Sequence, residues 1–502
     1  MNETIFVASA GTGKTTTLLN KLEELLEHTA PDRIVYTTFT NAGANEAIER
    51  ACKRFNLKPE QFPYFRTLHS LCYRNIRRYP MLGFSDYINF GKSIGYPLNA
   101  LRAMSSKDGT VDPSSTRGDK LLAMDNLMRN RRVSSFKEMC FDKSINVQET
   151  PQVLEHFSKT YRIYKESIAK IDFTDQLEMF LEQNEPLDAD YIFCDEAQDF
   201  SKLQWRIVDL LAKPAKHVYV AGDDKQSIYE FSGGDPDALI HRPGRRVILD
   251  TCYRLPKSIL NFAESVADRI QNKTEYSVAS RTEGGNVQHV SNLDQVDMSQ
   301  GSWLLLARNR SFLSILEDAV MKKGHLFKSI VSNIIPANLP SAIRVWQYLH
   351  QGFPASAKDI KPIYQNYLPT GNRVKRGFKK LLQELPDEEM LTLDCLIEKY
   401  GLICDLPWDQ AFSIGDKLKA YLQKAFANDK SQTRIEITTI HATKGREADN
   451  VVVLPDMSWT TWNSFRENPD TEHRTFYVAC TRAKSNLYIH QPISDNFYQY
   501  PS

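Results

Sequence analysis

No stretch of the 502-residue chain approaches the run of about 18 apolar residues that a membrane-crossing helix needs. The opening residues, Met1 to Lys14, carry no basic segment and no small-residue cleavage site, so no secretory leader is expected. Net charge is nearly absent. The 63 Lys and Arg stand against 62 Asp and Glu, so any surface for a polyanion has to be local. The eight cysteines (Cys52, Cys72, Cys140, Cys194, Cys252, Cys395, Cys404 and Cys480) contain no Cys-x-x-Cys pair. Zinc sites, iron–sulfur sites and a disulfide-stapled fold are therefore not expected, and a reducing cytoplasm is the natural setting. Internal repeats and low-complexity tracts are lacking too. With 41% hydrophobic and 25% charged residues, what remains is a globular protein long enough for about three to four domains or subdomains.

Short β-branched runs recur along the chain: Thr4–Ala8, Ile34–Thr38, Tyr191–Cys194, His217–Ala221 and Val247–Leu249. Helical periodicity fills the gaps, as in Thr16–Leu26 and Asn45–Phe55. A second set follows at Trp303–Leu306, Ile435–Ile440, Val451–Leu454 and Leu487–Ile489. Strands alternating with helices predict parallel sheets covered by helices. The expected fold class is α/β, with two such cores, each carrying a mainly helical insertion. The boundaries read as core 1–78, insert 79–171, core 172–253, second core 254–330, insert 331–432 and second core 433–502.

The segment Ala8-Ser-Ala10-Gly11-Thr12-Gly13-Lys14-Thr15-Thr16 follows the first strand and opens a helix. It has the form of a phosphate-binding loop with Ala8 in place of the first glycine. Gly11 and Gly13 let the backbone curl so that amide hydrogens point at phosphate oxygens. Lys14 reaches the terminal phosphates, and the Thr15 hydroxyl is a Mg²⁺ ligand. The apolar run Tyr-Ile-Phe-Cys ends in Asp195-Glu196. Two carboxylates closing a buried strand need a counter-charge, which nucleotide-bound Mg²⁺ supplies. Asp195 is assigned to the metal and Glu196 to the attacking water as base.

Further segments occur in a set order: Thr37-Thr38-Phe39-Thr-Asn41, Arg66-Thr-Leu-His69-Ser-Leu, Asp195-Glu-Ala-Gln-Asp199, Gly222-Asp-Asp-Lys-Gln226-Ser-Ile-Tyr229-Glu-Phe231, Cys252-Tyr253-Arg254, Ile440-His441-Ala-Thr-Lys-Gly-Arg-Glu447 and Tyr477-Val-Ala-Cys-Thr-Arg482. Together they resemble the UvrD/Rep/PcrA-type superfamily 1 DNA helicases, over about residues 4–490. The resemblance implies two RecA-like P-loop cores, ATP and Mg²⁺ as cofactors, and single-stranded DNA and its junctions with duplex as partners. It implies 3′-to-5′ travel driven by ATP hydrolysis. The alternative is a translocase that needs a protein partner, such as a nuclease, to unwind. No membrane partner is expected.

By the same resemblance the catalytic set is Lys14, Asp195, Glu196, Gln226, Arg254 and Arg482. The two arginines act as fingers on the transferring phosphoryl, and Gln226 senses the γ-phosphate. Ala10 to Thr16, Tyr253 and Glu447 contact the nucleotide. Thr38, Phe39, Asn41, His69, Tyr229, Phe231, Arg308 and His441 contact DNA. Tyr229 and Phe231, two apart, would share one face if extended. Relatives carry an adenine-reading glutamine upstream of the phosphate loop and an arginine after its Lys-Thr. Here only Met1, Asn2 and Glu3 precede the first strand, and Thr16 follows Lys-Thr. That leaves Tyr253 as the recognisable base contact and implies loose base selection. Ser232 and Arg310 also depart from the family pattern, which has arginine and asparagine there. Basic clusters lie at Arg74, Arg77 and Arg78, at Arg129, Arg131 and Arg132, and at Arg373, Lys375, Arg376, Lys379 and Lys380. Such runs are most often solvated helix faces, and the last is a candidate duplex contact.

Overall fold

The computed structural model describes residues 2–39, 41–76, 79–99, 116–141, 149–330, 335–403, 405–427 and 434–501. Six strands build the first sheet: β1 (Glu3–Ala8), β2 (Ile34–Thr38), β3 (Phe65–Thr67), β4 (Tyr191–Asp195), β5 (His217–Gly222) and β6 (Arg245–Leu249). Their order is β3-β2-β4-β5-β1-β6 and every pair is parallel. Buried on both faces, β2 (Ile-Val-Tyr-Thr-Thr) and β4 (Tyr-Ile-Phe-Cys-Asp) carry no charge before Asp195. One face packs Tyr36, Phe193 and Tyr219 under Leu18, Leu22 and Ala51 of the helices Lys14–Leu26 and Asn41–Phe55. The other packs Val35, Ile192 and Val220 against Leu71, Leu177, Leu203 and Ile207.

Ten further strands follow: β7 (Thr251–Pro256), β8 (Ala279–Thr282), β9 (Asn286–Val290), β10 (Trp303–Ala307), β11 (Phe327–Ser329), β12 (Ala355–Ser356), β13 (Met390–Leu391), β14 (Ile435–Thr439), β15 (Ala448–Leu454) and β16 (Ala483–His490). The second six-stranded sheet has the order β11-β14-β10-β15-β16-β9. The pairs β11–β14, β15–β16 and β16–β9 are parallel. The fold is thus α/β with two parallel sheets. Strands β3, β9 and β11 escape sequence reading because β3 and β11 have three residues each and β9 is Asn-Val-Gln-His-Val, half polar.

The chain forms two compact units. One comprises Met1–Val290, Leu306–Ser311 and Thr439–Ser502; the other comprises Ser291–Leu305 and Phe312–Thr438. The described part of insert 79–171 belongs to the first and is helical, with helices Phe84–Ser93, Arg117–Arg131, Phe136–Phe141 and Pro151–Ser167. It has its own apolar core around Phe90, Leu121, Phe157 and Tyr161. In the second unit, helices between Leu339 and Ala427 surround a buried Trp346, whose indole donates to the Leu406 carbonyl at 2.9 Å. Among the described residues no helix is long and apolar enough to cross a membrane.

The stacked rings Tyr36–Phe193 (5.9 Å) and Phe193–Tyr219 (5.0 Å) tie β2, β4 and β5 together just below the site. Phe193→Ala should therefore cost about 3–5 kcal/mol, read from urea unfolding followed by circular dichroism. A loss under about 1 kcal/mol would mean that the ring is not packed as described.

Candidate active site

In the first sheet all six strands point the same way, so their C-terminal ends and the loops after them share one edge. After β1 the chain turns through Ser9–Gly13 into the helix that starts at Lys14. Gly11 (φ +75°) and Gly13 (φ +82°) occupy the left-handed region. A Cβ on Gly11 would also stand 2.6 Å from the Arg254 Cβ, so this position requires glycine twice over. The Tyr253 amide donates to the Gly11 carbonyl at 2.9 Å, which fixes the loop against β7. Lys14 is buried, its Nζ donating to the Ser9 carbonyl at 3.3 Å.

The acids sit opposite. Asp195 Oδ2 accepts from Thr15 Oγ1 at 2.8 Å and from the Tyr36 hydroxyl at 2.9 Å, while Oδ1 accepts from the Glu196 amide at 2.9 Å. Burial and the neighbouring Glu196 charge push the Asp195 carboxyl above its usual range. Burial alone would raise Glu196 too, but Lys14, Lys444, Gln198 and Arg482 outweigh it and hold that carboxyl below its usual range. Two adjacent carboxylates, Asp195 buried and Glu196 half-buried, with opposite shifts are suited to different tasks. Glu196 also adopts φ +52°, a left-handed conformation that costs a non-glycine residue about 1–3 kcal/mol.

From Glu196 a hydrogen-bonded chain runs through the cleft. Gln198 Nε2 donates to Glu196 Oε2 (2.6 Å), and Gln198 Oε1 accepts from the Asp223 amide (3.0 Å). Asp223 Oδ2 accepts from Gln226 Nε2 (2.5 Å), and Gln226 Oε1 accepts from Arg482 Nη2 (2.9 Å). Burial and the nearby Arg254 bring the Arg482 guanidinium down to about 10. Arg254 pairs with Glu447 (3.0 Å) and donates to the Thr481 carbonyl (3.2 Å). A cavity of about 470 Å³ is lined by Ala10 to Thr16, Asp195, Glu196, Gln226, Arg254, Glu447 and Arg482. All six expected catalytic residues therefore line one space, with every expected nucleotide contact except Tyr253. Tyr253 is 57% exposed, with the Arg281 guanidinium 5.7 Å from its ring centroid.

The expected DNA residues divide. Phe39 and Tyr229 stack at 5.0 Å, Tyr229 and Phe231 are 5.9 Å apart, and Phe231 meets His441 edge-on at 5.7 Å. Tyr229 and Phe231 do not lie on an extended strand. Glu230–Ser232 is a 3-10 turn, and the two rings are tilted by 57°. His441 is 1% exposed, and burial, Arg308 and Lys444 hold its imidazole far below the usual range, so it backs the aromatic run as a neutral ring. Thr38, also buried, lines the cavity with Phe39. His69 packs edge-on to Phe173 at 6.3 Å, and burial lowers it to about 4. The Asn41 side chain lies outside what is described.

Arg308 is turned inward. Its guanidinium forms a buried double hydrogen bond with Glu472 (2.6 and 2.8 Å), so the fork has a carboxylate partner within the fold. Arg129 is likewise internal, bonded to Asp172, Asp175 and Glu178, while Arg77 and Arg78 lie outside the described residues. Sequence reasoning missed Lys444, Asp199 and Tyr36. Lys444 donates to Asp199 and to the Gln226 carbonyl (2.7 Å), and its Nζ lies 5.2 Å from the Tyr229 ring centroid. Both Asp199 and Lys444 stand inside recognised segments, so their positions were available as signals, whereas Tyr36 reads only as a strand residue.

Two family models match the chain: the UvrD/REP helicase N-terminal domain over residues 1–242 and the UvrD-like helicase C-terminal domain over residues 401–492. The chain belongs to the UvrD-like helicase family. A DNA helicase II homologue of Mycoplasma capricolum is 28% identical over 285 residues, 52% of this chain and 38% of that protein. The ATP-dependent DNA helicase PcrA of Staphylococcus aureus is 27% identical over 305 residues, 54% of this chain and 38% of that one. The match thus spans under two-fifths of these curated relatives. Among solved structures, a PRRSV helicase covers all of this chain and 55% of that one, at a TM-score of 0.33 and 11% identity, a likeness too loose to add to the assignment.

Burial pushes the Asp199 carboxyl up to about 7 despite Lys444, and its Oδ1 finds no hydrogen-bond partner among the described residues. A folded value above the unfolded one means that protonation stabilises. This contribution is complete below about pH 4 and is lost as pH rises through about 7. Without nucleotide, Asp199→Asn should flatten the fall in urea resistance between those limits. An unchanged slope would show that another group titrates there.

Proposed function

We propose that this protein is an ATP-driven DNA motor of the UvrD/PcrA type that travels 3′ to 5′ on single-stranded DNA and separates strands. The observation that carries the reading is the unbroken link from Glu196 through Gln198, Asp223 and Gln226 to Arg482, with Lys444 joining Gln226 to Tyr229. A phosphate-handling cleft and an aromatic run are thereby wired to each other.

The Ser9–Gly13 loop and Lys14 would hold the phosphates. Mg²⁺ fits the residues present. Asp195 is buried beside the half-buried Glu196, and Thr15 and Asp195 converge at 2.8 Å. Among the described residues no group of three or more His, Cys, Asp or Glu could hold a metal alone. This suits an ion that takes one or two protein ligands and completes its shell with substrate oxygens. When bound, Mg²⁺ would neutralise phosphate charge. Glu196, kept ionised, accepts the proton of the attacking water. Arg482 and Arg254 stabilise charge on the transferring phosphoryl. Gln226 holds Arg482 through its oxygen and Asp223 through its nitrogen, so a change at the γ-phosphate reaches the turn before Tyr229. Tyr229, Phe231 and Phe39 offer π-faces for bases, which suits sequence-tolerant grip. Separating a base pair costs about 1.4 kcal/mol per step, a modest load for a nucleotide-driven motor. The 3′-to-5′ direction rests on the Thr38–Asn41, His69–Leu71 and Gln226–Tyr229 segments, which resemble the UvrD/Rep branch.

Strand displacement with 3′-tailed, 5′-tailed and blunt duplexes tests the reading. We expect ATP-dependent opening of the 3′-tailed duplex first, and faster opening of the 5′-tailed one would reverse the assignment. ATP hydrolysis and travel without strand opening would favour the form that depends on a protein partner.

Glu196→Gln should bind ATP normally yet hydrolyse it very slowly, and loss of Arg482 or Arg254 should lower turnover about 10³-fold. Near-normal DNA-stimulated hydrolysis by Glu196→Gln would remove that residue from the base role.

A further inference from the structure

Glu230 sits in the chain between the two rings Tyr229 and Phe231, and nothing in the chemistry above uses it. Both of its carboxylate oxygens are engaged on one helix, Pro469–Cys480. Oε1 accepts from Arg474 Nη1 at 3.0 Å and Oε2 accepts from Thr471 Oγ1 at 3.1 Å. Arg474 is buried and Glu230 largely so, with side chains 3% and 17% exposed.

Arg474 does more than neutralise Glu230. Its Nε donates to the Asp224 carbonyl at 3.0 Å and its Nη2 to the Asn272 carbonyl at 2.6 Å. Asp224 opens the 3-10 turn Asp224–Gln226 that ends in the γ-phosphate sensor. One planar guanidinium therefore holds the sensor turn and the ring-bearing turn at once, in a fork whose geometry is rigid. The helix that carries it ends at Cys480, and Thr481 and Arg482 follow immediately, with Arg482 donating to Gln226. A third element reaches the same place: Arg131 Nη2, at the end of the insert helix Arg117–Arg131, donates to the Glu230 carbonyl at 3.3 Å.

We propose that Glu230 is a positioning residue that couples the rings to the phosphate site: held by Arg474 and Thr471, it makes Tyr229 and Phe231 move with the helix that presents Arg482. Displacement of the rings by a bound strand is carried to Arg482 and Gln226 without Glu230 touching DNA or nucleotide. Burial raises the Glu230 carboxyl above its usual range, and Arg474 and Thr471 oppose the rise. The inference rests on the DNA-motor reading above and adds to it a named mechanical joint.

The test compares the full chain with Glu230→Gln and Thr471→Val, measuring ATP hydrolysis with and without saturating oligothymidine, and thermal melting. Glu230→Gln removes the charge but keeps the shape, and Thr471→Val removes the second hydrogen bond without stranding a charge. We expect hydrolysis without DNA to stay within about twofold of wild type, DNA-stimulated kcat to fall about tenfold for Glu230→Gln and less for Thr471→Val, and the half-saturating DNA concentration to change little. That split between stimulated kcat and basal turnover is something a mere brace would not produce. Full stimulation in both variants overturns the joint. A parallel loss of basal and stimulated turnover with lowered melting also overturns it, leaving a structural ion pair. If Glu230→Gln does not fold, Thr471→Val decides alone by the same criteria. A wild-type chain whose hydrolysis ignores oligothymidine fails the DNA-motor reading itself, and the joint falls with it.

Discussion

The structure depends on accommodating two neighbouring carboxylates at the buried end of a central strand. Asp195 and Glu196 close β4, which lies between β2 and β5. A buried charge is tolerated only with partners. Asp195 is met by two hydroxyls, Thr15 from the phosphate-loop helix and Tyr36 from β2. Glu196 is met by the field of Lys14, Lys444 and Arg482, drawn from three distant parts of the chain. The phosphate loop, the end of β4 and the helix leading to Arg482 are thus held to one electrostatic centre, and a nucleotide with its cation would complete the balance.

Around that centre the polar groups form a connected network. Gln198, Asp223 and Gln226 each bond on two sides, so the carboxylate that would orient water and the arginine that would stabilise charge share one framework. Hydrogen bonds in such chains strengthen one another in a low-dielectric interior. The strained backbone at Glu196 is held by the same network. Lys444 extends it to the aromatic run through Asp199, the Gln226 carbonyl and the Tyr229 ring.

Arginine illustrates how context divides one residue type. Arg482 and Arg254 face the cavity. Arg308 and Arg129, which look equally available in sequence, are internal ties with carboxylate partners. Removing one partner from such a buried pair typically costs about 3–5 kcal/mol, because the other charge is left stranded. Their positions therefore constrain the fold whether or not DNA is bound.

Features that follow from short-range physics were legible along the chain. Glycines at 11 and 13 after an apolar run, then Lys-Thr opening a periodic helix, specify a phosphate loop because backbone sterics and helix initiation are local. β2 and β4 were legible because strands buried on both faces favour runs of β-branched and aromatic residues with few charges. Which side chains share a partner across long intervals emerged with the folded arrangement. Lys444 and Asp199 are 245 residues apart, Arg482 and Gln226 are 256 apart, and Arg474 and Glu230 are 244 apart. Hydrogen bonding and charge pairing depend on distance in space and on local burial, and neither is written in the spacing of residues along the chain. Arg308 reads in sequence as a hand for DNA and stands in the fold as the buried partner of Glu472 for this reason.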